Sequence, residues 1–508
     1  MHSLTGAIGR WASSRATEVA IVDGSVAWTW AQWAIRIASL AAVFRSHGLT
    51  PGARVAILGQ NSHRVIEAMY AALWAGGIAV PLNWRLAPPE LADLGRDCEP
   101  FLLVAEEEFE DQARALEASV PSLRSVIRQR DYESLIASAE PIADAGRADG
   151  DVAFLVYTGG TTGRPKGVML TCTNLVMNAR NSVAVLPFDN GIVHLHCGAM
   201  FHLSALWRVL AITLLGGRHV VLPRFEVNAV LDAIDRHCVT AAGFVPTMMA
   251  ALLNSPGFSQ EKLASLRVIT YGASPASDAL LERLTRVLPG CGLYQGYGMT
   301  ETSPVVTFLT PDDHTPGNPR LRSCGRPVPG VHVRIVDASG HPAPAGAVGE
   351  IQVRGDTVMK GYWRQPELTR QALADGWMHT GDAGRLDEDG YLYIVDRLKD
   401  MIVTGGENVY SYEVENAIAS HPAVAECAVF GIPDDKWGEA VHAVVVPKRG
   451  AALDSDDLLA HCRARIASYK CPKSMEMRTE PLPLSAVNKV LKAPLRAKWW
   501  AGKERNVA

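Results

Sequence analysis

The densest run of chemically useful residue types is Val156-Tyr157-Thr158-Gly159-Gly160-Thr161-Thr162-Gly163-Arg164-Pro165-Lys166-Gly167-Val168. Gly159, Gly160 and Gly163, interleaved with Thr158, Thr161 and Thr162, allow backbone N–H groups and hydroxyls to close around phosphate oxygens, and Lys166 adds a mobile cation. The run is not the P-loop of NTPases, which needs Gly-Lys-Ser/Thr after four intervening residues; here Arg164 and Pro165 separate Gly163 from Lys166. A surface hairpin of the same composition is the competing reading. In Tyr294-Gln295-Gly296-Tyr297-Gly298-Met299-Thr300-Glu301, an aromatic face suits a purine, and a carboxylate joined by phosphate oxygens suits Mg2+. In Trp377-Met378-His379-Thr380-Gly381-Asp382, a carboxylate at a turn can accept two ribose hydroxyls or cap an Asx-type turn.

These segments need elements to hold them. Short apolar runs alternate with helical patterns through about the first 230 residues. Arg54-Val55-Ala56-Ile57-Leu58, Ile78-Ala79-Val80 and Val220-Val221-Leu222 have the look of buried strands, and His63 to Trp74 of a crossover helix. A second alternating region runs from Val230 to Pro311, with strands expected at Ala242–Val245, Val268–Tyr271 and Gly292–Tyr294. The apolar strand Val152–Val156 leads into the glycine-rich loop. This is the pattern of an α/β fold with parallel sheet. From Gly325 to Arg397, alternating segments such as Val331–Val336 and Gly349–Val353 are split by Gly/Pro turns, which predicts antiparallel β, a small barrel. Short strands, amphipathic helices and lysines follow. The expected organisation is therefore a large N-terminal domain, 1–398, of α/β subdomains plus a small β-barrel subdomain, and a small mobile α+β domain, 399–508.

Composition narrows the class. The chain has 508 residues, 48% hydrophobic and 20% charged, as in a globular enzyme of more than one domain. A net charge of -4 leaves no nucleic-acid footprint. Nine dispersed cysteines without a CxxC pair are expected to be reduced thiols of a cytoplasmic protein. The N-terminal segment through Arg10 and Arg15 lacks the apolar core of a signal peptide. The most apolar later stretch, Ser204 to Gly217, carries Arg208 and falls short of a membrane span.

The glycine-rich loop resembles the phosphate-binding loop of the adenylate-forming superfamily, which comprises acyl-CoA synthetases, luciferases and peptide-synthetase adenylation domains. Gly159 stands where that family usually has Ser. The resemblance covers nearly the whole chain, with further motifs in the expected order. It implies that Tyr297 lies against adenine, with Gln295 and Gly296 beside it, that Thr300 reaches the α-phosphate, and that Glu301 holds Mg2+. Gly272-Ala273-Ser274-Pro275 resembles the other wall of the adenine slot. Asp382 and Arg397 match ribose contacts, and Lys399 the hinge of the C-terminal domain. The Gly405-Gly406 loop resembles the segment that lines the pantetheine tunnel in thioester-forming relatives, and Trp437 a CoA contact of aryl-CoA ligases.

The same resemblance makes Lys489, in Leu484-Ser485-Ala486-Val487-Asn488-Lys489-Val490, the adenylation lysine. A cation there would let a carboxylate approach the α-phosphate of ATP, two anions that otherwise repel. Lys492 lies three residues on and competes for the role. In the family's reaction a carboxylic acid and ATP give acyl-AMP and pyrophosphate, and coenzyme A then takes the acyl group; the alternatives are delivery of the acyl group to a carrier protein, or a non-catalytic nucleotide-binding relative. His202, Phe244 and Tyr271 fall where the acyl pocket is expected. The bulk of Tyr271 favours aromatic or medium-chain acids over very long ones. The lack of an Asp in place of His202-Leu203 weighs against amino-acid substrates. Homodimerisation is left open.

Overall fold

The computed structural model describes residues 3–158, 165–272, 276–315, 317–397, 400–404, 407–434, 437–466, 468–484 and 490–501, with backbone alone at 396, 397, 403, 407 and 408. By Cα packing the chain divides into two compact units, Met1–Val333 with Val353–Met378, and Arg334–Gln352 with His379–Ala508.

The first unit is α/β. One sheet runs Gly361–Tyr362, Lys166–Thr171, Val152–Thr158, Ile78–Pro81, Arg54–Leu58, Leu102–Ala105, Ser125–Arg128, parallel from Val152–Thr158 onward and antiparallel at the Gly361 edge. Arg54–Leu58 and the helix His63–Trp74 have the bounds their residues predict. Val55, Ala56, Ile57 and Leu58 are all buried, as a strand covered on both faces requires. Ser62 starts the helix by accepting from the Val65 N–H.

The other sheet has nine strands. Its central six, Gly292–Gly298, Val268–Gly272, Ala241–Phe244, Val193–His196, Arg218–Val221 and Val19–Asp23, are parallel to their neighbours. Antiparallel strands close both ends. One face packs Ala242, Phe244, Ile269, Tyr271 and Leu293 against Leu252, Leu281 and Leu284 of neighbouring helices. The other face lies under the helix Leu203–Leu215.

In the second unit the strands Trp377–Leu386 and Leu392–Arg397 pair antiparallel within a five-stranded sheet. A separate sheet contains Ile402–Thr404, Glu407–Val409, Val424–Asp434, Gly438–Pro447 and Ser474–Met477. The helices Ser411–Ala419 and Ser455–Arg463 cover it through Val414, Ile418 and Leu458. All nine cysteines are free. Among the described residues no helix is long and apolar enough to cross a membrane.

Candidate functional site

Thr158, the last residue of one strand, and Lys166, the first of the next, are Cα partners across an antiparallel pair. The two ends of the glycine-rich segment are thereby fixed opposite each other. Gly159, Gly160, Thr161, Thr162 and Gly163 themselves lie outside the described residues. Tyr362, on the short strand next to Lys166–Thr171, places its ring 5.2 Å from the Lys166 ammonium. Its hydroxyl donates to Oε1 of Glu301 at 2.9 Å. Burial, and then the neighbouring Glu301 charge, hold the Tyr362 phenol above its ordinary pKa, so it stays protonated and keeps donating. A cation, a ring and a buried carboxylate thus stand in series.

The position of Glu301 is set locally. Thr300–Thr302 is a single 3-10 turn that follows the strand Gly292–Gly298. Thr302 ties it: its Oγ1 accepts from the Met299 N–H at 3.1 Å and donates to the Pro304 carbonyl at 2.9 Å. A Cβ at Gly298 would sit 1.7 Å from that same carbonyl, so only glycine lets the chain fold back here. The Met359 N–H then holds the Glu301 carbonyl at 2.8 Å. Glu301 as a whole is 6% exposed.

Gln295, Gly296 and Tyr297 precede this turn and are half-buried. Gly272 is the Cα partner of Gly296; Ala273 and Ser274 lie outside the described residues. Phe244, Tyr271 and Gln295 stand at matched register on adjacent strands. Phe244 and Tyr271 are packed in the apolar core face of the sheet, opposite the face that carries Gly243, Thr270 and Gly272. The Tyr271 hydroxyl lies 2.8 Å from Nε2 of His314, whose Nδ1 lies 2.7 Å from the Thr310 carbonyl. That pairing puts the proton on Nδ1 and makes Nε2 the acceptor. Burial lowers the His314 pKa, which keeps this tautomer neutral. His202 is the residue before the helix Leu203–Leu215, its ring 4.3 Å from that of Phe201.

In the second unit Asp382 and Arg397 are Cα partners on paired strands, and nothing beyond the backbone is described for Arg397. Gly381 turns the chain at φ 69°, and Thr380 Oγ1 accepts from the Asp382 N–H at 3.1 Å. Trp437 is 45% exposed. Its N–H donates to Asp434 at 2.9 Å. Lys399, Gly405, Gly406 and Lys489 lie outside the described residues. Lys492 Nζ lies 2.5 Å from Ser411 Oγ and 2.9 Å from Glu415 Oε1.

Sequence reasoning missed Tyr362 and His314. Tyr362 is 61 residues from the carboxylate it binds. Its one signal is an aromatic set between Gly361 and Trp363 at a strand edge, a weak one by itself. His314 follows the strand that ends at Leu309 and had no motif around it.

Residues 8–363 match the model of the AMP-binding enzyme family, and residues 413–489 that of the AMP-binding enzyme C-terminal domain. Feruloyl-CoA synthase of an Amycolatopsis species is 41% identical over 498 residues, covering 97% of this chain and 99% of the relative. ATP-bound MatB of Rhodopseudomonas palustris superposes with a TM-score of 0.89 at 31% identity, covering 98% of this chain and 100% of that one. o-Succinylbenzoate CoA synthetase (MenE) of Bacillus subtilis, in complex with the acyl-adenylate intermediate OSB-AMP, gives 0.87 at 32% identity, covering 96% and 97%.

Proposed function

The chain belongs to the AMP-binding enzyme family and is an AMP-forming acid–thiol ligase, and on that premise we propose which side chains carry its two half-reactions and what kind of acid it takes. The observation that carries the reading is the Lys166–Tyr362–Glu301 series. It sets an ammonium and a buried carboxylate beside the ends of a loop rich in phosphate-binding donors.

In the first half-reaction a substrate carboxylate oxygen bonds to the α-phosphorus of ATP and the bond to pyrophosphate breaks. Lys166, Thr158 and the loop 159–163 bind phosphate oxygens, Thr300 holds the α-phosphate, and Tyr297 with Gly272, Ala273 and Ser274 encloses adenine. Asp382 and Arg397 accept and donate to the ribose hydroxyls. Lys489 supplies the charge that offsets repulsion between carboxylate and phosphate. Mg2+ fits this donor set. Glu301 is a buried carboxylate with one oxygen already oriented by Tyr362. Among the described residues no group of three or more His, Cys, Asp or Glu could cage an ion alone, so Glu301 would share it with phosphate oxygens. Bound there, the ion would neutralise phosphate charge.

In the second half-reaction the CoA sulfur bonds to the acyl carbon, AMP leaves, and the thiol proton passes to solvent. Gly405, Gly406 and Trp437 bind CoA. Residues 399–508 act as a mobile domain with Lys399 as its hinge. The compartment is cytoplasmic. Among acids, the feruloyl-CoA synthase likeness supports an aromatic one; a medium- or long-chain fatty acid is the second choice, supported by likeness to a medium/long-chain-fatty-acid–CoA ligase of Mycobacterium tuberculosis at 34% identity.

The test separates the half-reactions. Lys489→Ala is expected to abolish carboxylate-dependent pyrophosphate release while leaving thioesterification of supplied acyl-AMP largely intact. Survival of both activities, or loss of both together, removes the assignment.

A further inference from the structure

The helix Leu203–Leu215 lays an arginine, Arg208, on the sheet face beneath it, and the proposed chemistry does not use it. Paired residues of a sheet share a face, and alternate residues of a strand do too. Gly243 pairs with Thr270, Thr270 with Tyr294, Gly272 with Gly296, and Gly296 with Phe308. All six therefore look toward the helix, and three of them have no side chain. Gly243, Gly272 and Gly296 are half-buried and Ser204 on the helix is exposed, so solvent reaches between helix and sheet.

Arg208 lies across this floor. Its Nε donates to Thr270 Oγ1 at 2.8 Å and its Nη1 to the Ser204 carbonyl. A Cβ at Gly243 would come within 2.4 Å of the guanidinium carbon, so the group rests flat on the strand backbone. Nη2 has no hydrogen bond to any described residue. Among the described residues no carboxylate acts on the group, and partial removal from water brings its pKa down to about 10. A half-buried cation whose solvent-facing donor edge has no partner among the described residues can give a charge-assisted hydrogen bond to an acceptor on a bound ligand.

Its distance from the adenylation residues suits a small acid. Thr270 lies two residues back from Gly272 along the strand, about 7 Å at the usual rise. Gly272 pairs with Gly296, which directly precedes Tyr297. Between the two ends the floor is glycine backbone, and the Trp207 and Phe308 rings pack against each other beside it at 6.4 Å. Bare backbone next to aromatic rings favours a flat ring.

We propose that Arg208 is a specificity-determining residue that hydrogen-bonds an oxygen on the far side of an aromatic acid's ring. The inference rests on the ligase reading above and deepens it to a substrate class: aryl acids bearing a hydroxyl, alkoxy or carboxylate oxygen remote from the reacting carboxyl. Thr270 and Gly243 are positioning residues, one orienting the guanidinium and the other making room for it.

The experiment uses the full chain with MgATP and CoA and measures AMP formation from cinnamic acid and its 4-hydroxy, 4-methoxy, 4-hydroxy-3-methoxy and 4-carboxy derivatives. The wild type should favour at least one oxygenated acid over cinnamic acid by about 10- to 100-fold in kcat/KM, as for a charge-assisted hydrogen bond to substrate. Arg208→Met should erase that preference, mainly through KM, and leave cinnamic acid turnover close to wild type. Arg208→Lys should restore part of it. Gly243→Ala, which displaces the guanidinium without removing its charge, should act like Arg208→Met. The 4-hydroxy, 4-methoxy and 4-carboxy arms show which oxygen is preferred. An equal loss on every acid would make Arg208 merely structural, and a wild type indifferent to ring oxygen would remove the proposal while leaving the ligase reading intact. Activation of none of these acids, with fatty acids turned over, would remove the aromatic reading and this inference together. Absence of pyrophosphate exchange with any acid would instead strike the ligase reading itself.

Discussion

Tyr362→Phe is the sharpest test of how the phosphate end of the site is built. The substitution deletes one hydroxyl and keeps the ring 5.2 Å from the Lys166 ammonium. What disappears is the 2.9 Å hydrogen bond to Glu301, a residue only 6% exposed. A hydrogen bond to a charged group is worth about 1.5–3 kcal/mol. At about 1.4 kcal/mol per decade, full transmission to the transition state lowers kcat/KM of the adenylation step about 10- to 150-fold. The assay is carboxylate-dependent ATP–pyrophosphate exchange over a series of Mg2+ concentrations, beside thioesterification of supplied acyl-AMP. Exchange should fall, the defect should shrink as Mg2+ rises, and thioesterification should hold. Because the phenol is kept protonated above its ordinary range, the ratio of variant to wild type should stay flat from neutral pH to about 9. Tyr362→Leu removes the ring as well and should cost about a further 0.5–2 kcal/mol through the lost cation–π contact. Exchange within about twofold of wild type, or a parallel fall in both half-reactions, would show that the hydroxyl does not position Glu301 for nucleotide chemistry.

Two further outcomes follow from buried charge. Lys492→Met removes the bonds to Ser411 and Glu415 and should destabilise the C-terminal unit by about 1–3 kcal/mol in denaturant unfolding while leaving carboxylate-dependent pyrophosphate release near wild type, the opposite of Lys489→Ala; loss of pyrophosphate release at full stability would reverse the two lysines' roles. His194, His196 and His219 form a buried row of rings, His219 meeting Thr213 of the helix Leu203–Leu215, and burial lowers all three pKa values, that of His219 to about 3. Folded values below the unfolded value of about 6.5 mean that the stabilisation is present above that pH and lost as pH falls from it toward the folded values, at up to about 1.4 kcal/mol per pH unit for each ring. Urea unfolding followed by tryptophan fluorescence, to which Trp33 at 5.5 Å from His219 contributes, should show stability dropping between pH 7.5 and 5.5, and less steeply in His219→Gln. An unchanged slope in that variant would mean that the ring protonates without cost.

Much of the scaffold was legible because its signals are local. The strand Arg54–Leu58 is a continuous apolar run, and the helix behind it has its cap at Ser62, so both could be bounded from adjacent residues. The motifs were legible for the same reason: Thr158, Lys166, Thr300 and Glu301 each lie within a short segment. Tyr362 was not, since the carboxylate it bonds lies 61 positions away in the chain. In the sequence, the family resemblance alone separates Lys489 from Lys492. The two lie three positions apart in the chain, and the fold shows Glu415 and Ser411 engaging Lys492.

The acyl side of the site was the least legible part, and the sheet explains why. A parallel strand covered on both faces alternates without a polar–apolar contrast, so consecutive residues give no hint of which face each one serves. Tyr271 and Phe244, the bulky residues that sequence singles out for a pocket wall, pack into the apolar core, with Tyr271 anchored on His314. Their neighbours Gly243, Thr270 and Gly272 occupy the opposite face, where Arg208 lies. A one-residue difference in register separates packing from recognition. Substrate choice in this chain is therefore better sought in what the glycines leave empty, and in the cation at the end of that space, than in the large side chains beside them. Arg208, which at first matters only because it interrupts an apolar stretch, becomes the residue whose partner the structure leaves to be supplied by substrate.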